Sequence, residues 1–129
     1  MIQLPKITKI EGGAATLESD AIALDNYKIL SFLFENAAGA KLTVKVKASK
    51  DGGTAKAVPF VLKDADTEET ENIKADGKEI AGKGTFLAVI TDRMFAHDEY
   101  DSASISLSVD TGTIKSIFAL QDKARYTNE

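Results

Sequence analysis

Strict alternation of apolar and polar residues in two stretches is the feature that most constrains the fold of this chain. Within residues 41–49 every second residue is apolar, from Leu42 to Ala48. Within residues 102–109 the apolar positions run from Ala103 to Val109, and all positions between them are serines. Successive side chains of a β-strand point to opposite faces, so a period of two predicts strands with one buried and one polar face.

Turn residues follow both stretches and predict hairpins. Asp51-Gly52-Gly53 follows the first stretch, and the apolar run 57–62 then returns as its expected partner. Pro59 cannot donate to a β-ladder, so we expect this returning strand at a sheet edge or at a bulge. Asp110-Thr111-Gly112 follows the second stretch, and the run 114–120 is its expected hairpin partner.

Two further runs, 27–34 and 85–90, are apolar over most of their length and predict central strands covered on both faces. Helix signals are scarce, and the best of them covers one or two turns within residues 91–100. About eight short strands separated by turn signals predict an all-β chain with little helix. We expect a β-sandwich of jelly-roll or immunoglobulin-like type, with a small β-barrel as the alternative. No linker or repeat divides the 129 residues, so one domain is expected over 1–129, with a polar tail from about residue 121.

Composition excludes several classes of function. The chain has no cysteine and one histidine, which removes thiolate metal sites, thiol nucleophiles and multi-histidine metal sites. Two arginines and a net charge of −4 argue against a nucleic-acid partner. No apolar run is long enough to span a bilayer as a helix, and the first residues lack the pattern of a signal peptide. We therefore expect no membrane partner and a protein that is intracellular at synthesis.

A glycine-rich segment, residues 77–84, matches the first seven positions of a phosphate-binding P-loop. The eighth position requires a hydroxyl for magnesium but is Gly84, and Thr85 follows one residue late. A P-loop also precedes a helix, whereas the run that follows here predicts a strand. The segment is therefore expected to be a loop without a nucleotide.

An acidic segment, residues 64–71, begins with the alternating carboxylates of a calcium loop: Asp64, Asp66 and Glu68. An EF-hand loop also needs glycine at its sixth position and glutamate at its twelfth, where this chain has Glu69 and Ala75. We expect a solvated acidic loop, with Asp64, Asp66 and Glu68 as weak metal-ligand candidates. No metal and no other cofactor is expected.

Acid–base chemistry would have to centre on His97, the only imidazole, within the polar segment 97–101. A serine elbow of the G-x-S-x-G type and a second histidine are both missing. The chain is therefore expected not to be an enzyme, and no catalytic residue is predicted. An enzyme centred on His97 stays open as a further alternative, which would require a recessed His97 beside a carboxylate.

The four serines of residues 102–109 form a small, neutral face with little charge to block association. This face either meets another subunit or is an ordinary solvent face, and both interpretations stay open. Buried aromatic side chains carry much of the binding energy of protein interfaces. The candidate interface residues are Phe95, Tyr100, Ser104, Ser106 and Tyr126.

Four segments of the chain together resemble small virion structural proteins encoded in phage and prophage head–tail gene clusters. They are residues 42–52, Pro59-Phe60, residues 85–91 and Ala124-Arg125-Tyr126. The resemblance implies a compact β-rich protein that decorates or joins a capsid or tail, with no catalytic residues. It implies that the protein works through symmetric self-association or through binding to another virion protein. The lack of cysteine and of a signal-peptide pattern is compatible with synthesis and assembly in a bacterial cytoplasm, with the virion as the final location of a phage-derived chain.

Two functions of different classes follow. The first is a non-enzymatic structural protein of a phage or prophage particle, whose partners are copies of itself and other virion proteins. The alternative is a ligand-binding β-sandwich module for carbohydrate or calcium. That alternative requires the acidic segment 64–71 and the segment 97–101 to converge in space. Its carbohydrate version lacks support from aromatic residues, because the chain has three tyrosines and no tryptophan.

Overall fold

The computed structural model describes residues 5–24, 27–91, 93 and 100–124. Within these ranges the chain has no helix and forms twelve strands. Most of the segment expected to contain helical turns, residues 91–100, lies outside the described residues. The strands are β1 (Lys6–Ile10), β2 (Thr16–Glu18), β3 (Ile22–Ala23), β4 (Tyr27–Asn36), β5 (Leu42–Ser49), β6 (Lys56–Val58), β7 (Phe60–Asp64), β8 (Thr70–Ile73), β9 (Lys78–Ile80), β10 (Gly84–Thr91), β11 (Ser102–Val109) and β12 (Ile117–Ala124).

The strands form two antiparallel sheets. Sheet 1 has the order β1-β12-β4-β10-β7-β8, and sheet 2 has the order β2-β11-β5-β6. In sheet 2, β3 also pairs with β11 and β9 also pairs with β5. Each sheet keeps open edges, so the all-β sandwich is confirmed and the alternative of a closed barrel is wrong. The strand count exceeds the expected eight because five strands, β2, β3, β6, β8 and β9, have only two to four residues.

The core lies between the sheets and is supplied by the alternation seen in the sequence. In β5 and β11 the apolar positions from Leu42 to Ala48 and from Ala103 to Leu107 are buried. They pack in one cluster with side chains of sheet 1. Phe34 and Phe86, on neighbouring strands of that sheet, stack with their ring centroids 5.8 Å apart. Each large apolar side chain buried in this way contributes roughly 2 kcal/mol to the free energy of unfolding.

The first predicted hairpin is confirmed, but its returning run is divided between the sheets. Val46 pairs with Val58 and Ala48 with Lys56, across a turn in which Asp51 and Gly52 have positive φ. The chain then leaves sheet 2 at Pro59 and enters sheet 1 as β7. Pro59 has no N–H to continue the ladder, so the pairing breaks there. Strand β6, which ends immediately before Pro59, lies at the edge of sheet 2, as expected.

The second predicted hairpin is wrong. β11 pairs with β5, β2 and β3, whereas β12 lies in sheet 1 between β1 and β4. The connection crosses the sandwich and is held by the buried Ile114. The backbone N–H of Ile114 donates to the carbonyl of Ala14, and its own carbonyl accepts from the N–H of Gly13. A turn followed by an apolar run looks the same in sequence for a hairpin and for a crossover.

The strand β12 continues past residue 121, near which a polar tail was expected to begin, and ends at Ala124. Gln121 takes the next core-facing position after Ile117 and Ala119 and is only 3% exposed. Its Nε2 donates to the carbonyl oxygen of Ala23 at 2.6 Å. This hydrogen bond satisfies the buried amide, so a polar residue occupies a core position.

Gly12 marks the tightest backbone contact between the segment after β1 and the crossover before β12. A Cβ atom at Gly12 would overlap the carbonyl oxygen of Ile114 and come within 2.5 Å of the Lys115 carbonyl carbon. We therefore predict that Gly12→Ala lowers the free energy of unfolding by about 2 kcal/mol or more, measured by urea denaturation. Gly82→Ala is the matched control, because a Cβ there meets nothing within 4 Å. Equal stability of the two variants would contradict the crossover described here.

Candidate interaction surfaces

The outer face of sheet 2 contains the serines of β11. Ser104 lies opposite Lys47 of β5, and Ser106 lies between Lys45 of β5 and Glu18 of β2. Lys47 Nζ and Glu18 Oε1 are 3.4 Å apart, although β11 separates their strands. The small serine side chains leave room for this ion pair to cross the middle strand. This face is therefore polar and carries charge, which the sequence alone did not reveal.

The outer face of sheet 1 is apolar over five neighbouring strands. Central strands β4 and β10 were expected to be covered on both faces, and their positions in the middle of the sheet are confirmed. One face of each strand packs in the core, but the side chains on the other face are only half-buried. We define the apolar face as Ile7 (β1), Phe118 and Leu120 (β12), Ile29 and Leu33 (β4), Leu87 and Val89 (β10) and Val61 (β7).

Cross-strand pairing aligns the apolar face into two rows. The upper row runs Lys9, Phe118, Leu33, Leu87, Lys63 across β1, β12, β4, β10 and β7. The lower row runs Ile7, Leu120, Ser31, Val89, Val61 across the same strands. Directly opposed residues of antiparallel strands point to the same side of the sheet, so each row is continuous.

The rim of the apolar face contains the charges of this side of the sheet. Lys9 pairs with Glu11 at 3.4 Å, and Lys115 pairs with Glu35 at 3.7 Å above the upper row. Asp122 lies below the lower row, opposite Ile29. Within the face, Ile7 is 61% exposed and Phe118 is 36% exposed. These are large apolar side chains that water reaches, bordered by ion pairs.

Of the remaining interface candidates, the structure describes Tyr100 alone. Tyr100 is half-buried and packs against the core cluster. Phe95 and Tyr126 lie outside the described residues, as does His97. Sequence reasoning missed the apolar face, although its signal was present in the apolar runs 27–34 and 85–90. Those runs were interpreted as strands covered on both faces. The sequence does not indicate what would cover the face opposite the core.

The acidic segment forms the turn between β7 and β8. Asp64 Oδ1 accepts the backbone N–H groups of Asp66 and Thr67 at 2.8 and 3.2 Å. The Asp64 carboxylate therefore caps this turn, while Asp66 and Glu68 are exposed. Among the described residues, no three His, Asp or Glu side chains are grouped so that they could hold a metal ion.

Asp101 occupies the other end of the sandwich. Asp64 pairs with Phe86, near the start of β10. Asp101 lies beside the last residue of β5, where its backbone N–H donates to the carbonyl of Ser49. The N–H of Asp51 donates to both Asp101 carboxylate oxygens, at 3.1 and 3.3 Å. This hydrogen bond holds the pKa of Asp101 below its usual value. Asp101 therefore fixes a turn, and it does not converge with the acidic segment.

A polar cleft of about 560 Å³ lies at the end of sheet 1 where β4 stops and β10 begins. The glycine-rich segment contributes Lys83 and Gly84 to its lining, and no aromatic side chain is among the lining residues. The segment itself contains β9 and leads into β10, so strands flank it where a P-loop would need a helix. The cleft offers no ring on which a sugar could stack.

Asn36 forms the floor of this cleft and is only 2% exposed. Its Nδ2 donates to the carbonyl oxygens of Ala40, Ile80 and Gly82, at 3.0, 3.3 and 2.9 Å. The side chain thus ties the turn after β4 to the segment after β9. In the part of the chain that the structure describes, Oδ1 of Asn36 has no hydrogen-bond partner. The three donated contacts make Asn36 a structural clamp.

No protein-family model matches the chain, and no curated protein matches it by sequence. The crystal structure of the SPBc2 prophage-derived protein YomS aligns with 95% of this chain and 98% of its own, with a TM-score of 0.58. Sequence identity over this alignment is 12%. This chain therefore has the fold of a prophage-derived protein over nearly its whole length. A structure of infectious bursal disease virus, Gx strain, aligns with a TM-score of only 0.23, at 11% identity over 92% of this chain and 37% of the viral one.

In the described residues, no helix is long and apolar enough to cross a membrane.

Replacing the Asn36 amide by a carboxyl group tests the structural clamp. We predict that Asn36→Asp lowers the free energy of unfolding at neutral pH by about 2 kcal/mol or more, because a buried carboxylate would face three carbonyl oxygens. Protonation restores one donor, so the pKa of the introduced carboxyl is raised in the folded state. The loss should therefore shrink as pH falls towards 4, measured by thermal unfolding over a pH series. Asn72→Asp, at an exposed position of β8, is the control and should change little. Equal losses in the two variants would contradict the clamp.

Proposed function

We propose that this chain is a non-enzymatic structural protein of a phage or prophage particle, of the capsid-decoration or head–tail type. It acts by self-association and by contacts with other virion proteins, after synthesis in the bacterial cytoplasm. The observation that carries the proposal is the apolar face of sheet 1. The fold shared with an SPBc2 prophage-derived protein supports the phage setting.

The apolar face supports a role in protein contacts because antiparallel sheets that face water normally carry polar residues on that side. Sheet 2 follows this rule with serines, lysines and Glu18. Sheet 1 departs from it with eight apolar residues on five strands. Contiguous exposed apolar patches of this kind mark sites of association in soluble proteins.

The architecture supports a role without chemistry of its own. Three polar side chains with more than one hydrogen bond, those of Asn36, Asp64 and Asp101, each hold backbone groups of turns and strand ends. Hydrogen bonds of this type rigidify the sandwich. A rigid two-layer body that presents one apolar side is suited to joining other proteins, and the proposed partners are virion proteins rather than nucleic acid or membrane.

The proposal predicts that the chain is a component of the particle produced by the phage or prophage that encodes it. Particles purified on a density gradient should contain the chain at a fixed copy number relative to the major capsid or tail protein, measured by quantitative mass spectrometry. An abundant host protein of similar size serves as the control for carry-over. Presence of the chain in the lysate but at carry-over level in the particles would contradict the proposal.

A further inference from the structure

We propose that the apolar face of sheet 1 binds the same face of a second copy, across a two-fold axis that lies in the interface at right angles to the strands. This inference rests on the self-association in the proposed function and assigns it a surface, a partner and an orientation. Two properties of the apolar face carry it, the position of its lysines and the shape of its middle strand, and its area sets the expected strength of the dimer.

The area of the apolar face is that of a weak, reversible dimer. Five strands about 4.8 Å apart and two rows of side chains about 6.8 Å apart cover about 24 Å by about 14 Å, or about 340 Å² on each copy. Two such faces together bury about 700 Å², which is less than a stable interface needs and is in the range of a transient one. Two sheets that pack face to face in this way repeat the packing already present inside the sandwich.

The lysines of the upper row select one orientation. The face is centred on β4, with Lys9 two strands away on one side and Lys63 two strands away on the other. A two-fold axis parallel to the strands would therefore place Lys9 of one copy over Lys63 of the other, which costs energy through repulsion of like charges. An axis at right angles to the strands places the upper row of one copy over the lower row of the other. Lys9 then lies over Ile7 and Lys63 over Val61, where the aliphatic part of each lysine covers an apolar side chain and the ammonium group reaches solvent.

The same axis gives complementary shapes at the centre of the interface. Leu33 of each copy lies over Ser31 of the other, so a large side chain meets the only small residue of the lower row. Phe118 lies over Leu120, and Leu87 lies over Val89. The three central side chains of the upper row are larger than the three central side chains of the lower row. The two rows are therefore complementary in size when one lies over the other.

The outer face of sheet 2 does not offer an equivalent surface. Any copy seated on the serines would have to cover the ion pair of Lys47 and Glu18, together with Lys45. Burial of these charges without new partners would cost more free energy than the burial of the small serine side chains would contribute. The inference therefore assigns self-association to the apolar face and leaves the serine face to solvent.

Sedimentation equilibrium of the full-length chain over a wide concentration range tests the surface. We expect reversible dimers, and we expect Phe118→Lys and Ile7→Lys to raise the dimer dissociation constant at least about tenfold. Both positions are exposed in the single chain, so circular dichroism and the melting temperature should stay close to those of the parent. Ser106→Lys places the same charge on the middle of the opposite face and should leave the constant unchanged.

Lys63→Glu tests the orientation. With the proposed axis the dissociation constant changes by less than about threefold, because Lys63 lies over an apolar side chain. With the axis parallel to the strands, the new carboxylate would meet Lys9 and tighten the dimer tenfold or more.

The outcomes separate this inference from the function on which it rests. A dimer that is broken by Ser106→Lys but not by Phe118→Lys overturns the inference and leaves self-association in place. A chain that stays monomeric overturns it too, and incorporation into particles then decides the proposed function. If Phe118→Lys abolishes incorporation of a monomeric chain, the face binds another virion protein and the second copy is excluded.

Discussion

The packing of alternate side chains of β5 and β11 against β4 and β10 is the interaction on which the rest of this structure depends. It buries one side of each sheet and so determines which side chains are left for the outside. Because the period of a strand is two, every residue that enters the core leaves its neighbours on an outer face. The two outer faces are therefore a direct consequence of the same alternation that builds the core.

The two sheets use their outer faces differently. In sheet 2 the outward positions are serines, lysines and a glutamate, and Lys47 reaches Glu18 across β11. In sheet 1 the outward positions in the middle of the central strands are leucine, isoleucine and valine, with Ser31 at the centre, and Glu35, Thr85 and Thr91 lie towards the strand ends. At one end of the sandwich Asn36 ties the turn after β4 to the segment after β9. At the other end Asp101 fixes the turn after β5. The result is a rigid body with one polar and one apolar side.

The sequence predicts those features that a local pattern can carry. Alternation within 41–49 and 102–109 identifies β5, β11 and their buried positions, and the turn at Asp51-Gly52 identifies the hairpin to β6. The crossover between β11 and β12 was missed because a hairpin and a crossover share the same turn residues, and the strand pairing that distinguishes them, β12 with β1 and β4, is non-local. Gln121 was assigned to a tail because its amide finds its acceptor, Ala23, far away in sequence. The apolar face was missed for a similar reason. The apolar residues of the runs 27–34 and 85–90 do not indicate what packs against each of the two faces of their strands.

The most direct test of the account is the accessibility of single cysteines introduced into this cysteine-free chain. Ser31→Cys lies at the centre of the apolar face, and Ser106→Cys lies at the centre of the serine face. We predict that the alkylation rate at Ser31→Cys falls steeply as protein concentration rises, while the rate at Ser106→Cys stays constant. Protection of Ser106→Cys instead, or rates at both positions that do not depend on concentration, would contradict the assignment of the apolar face as the surface of association.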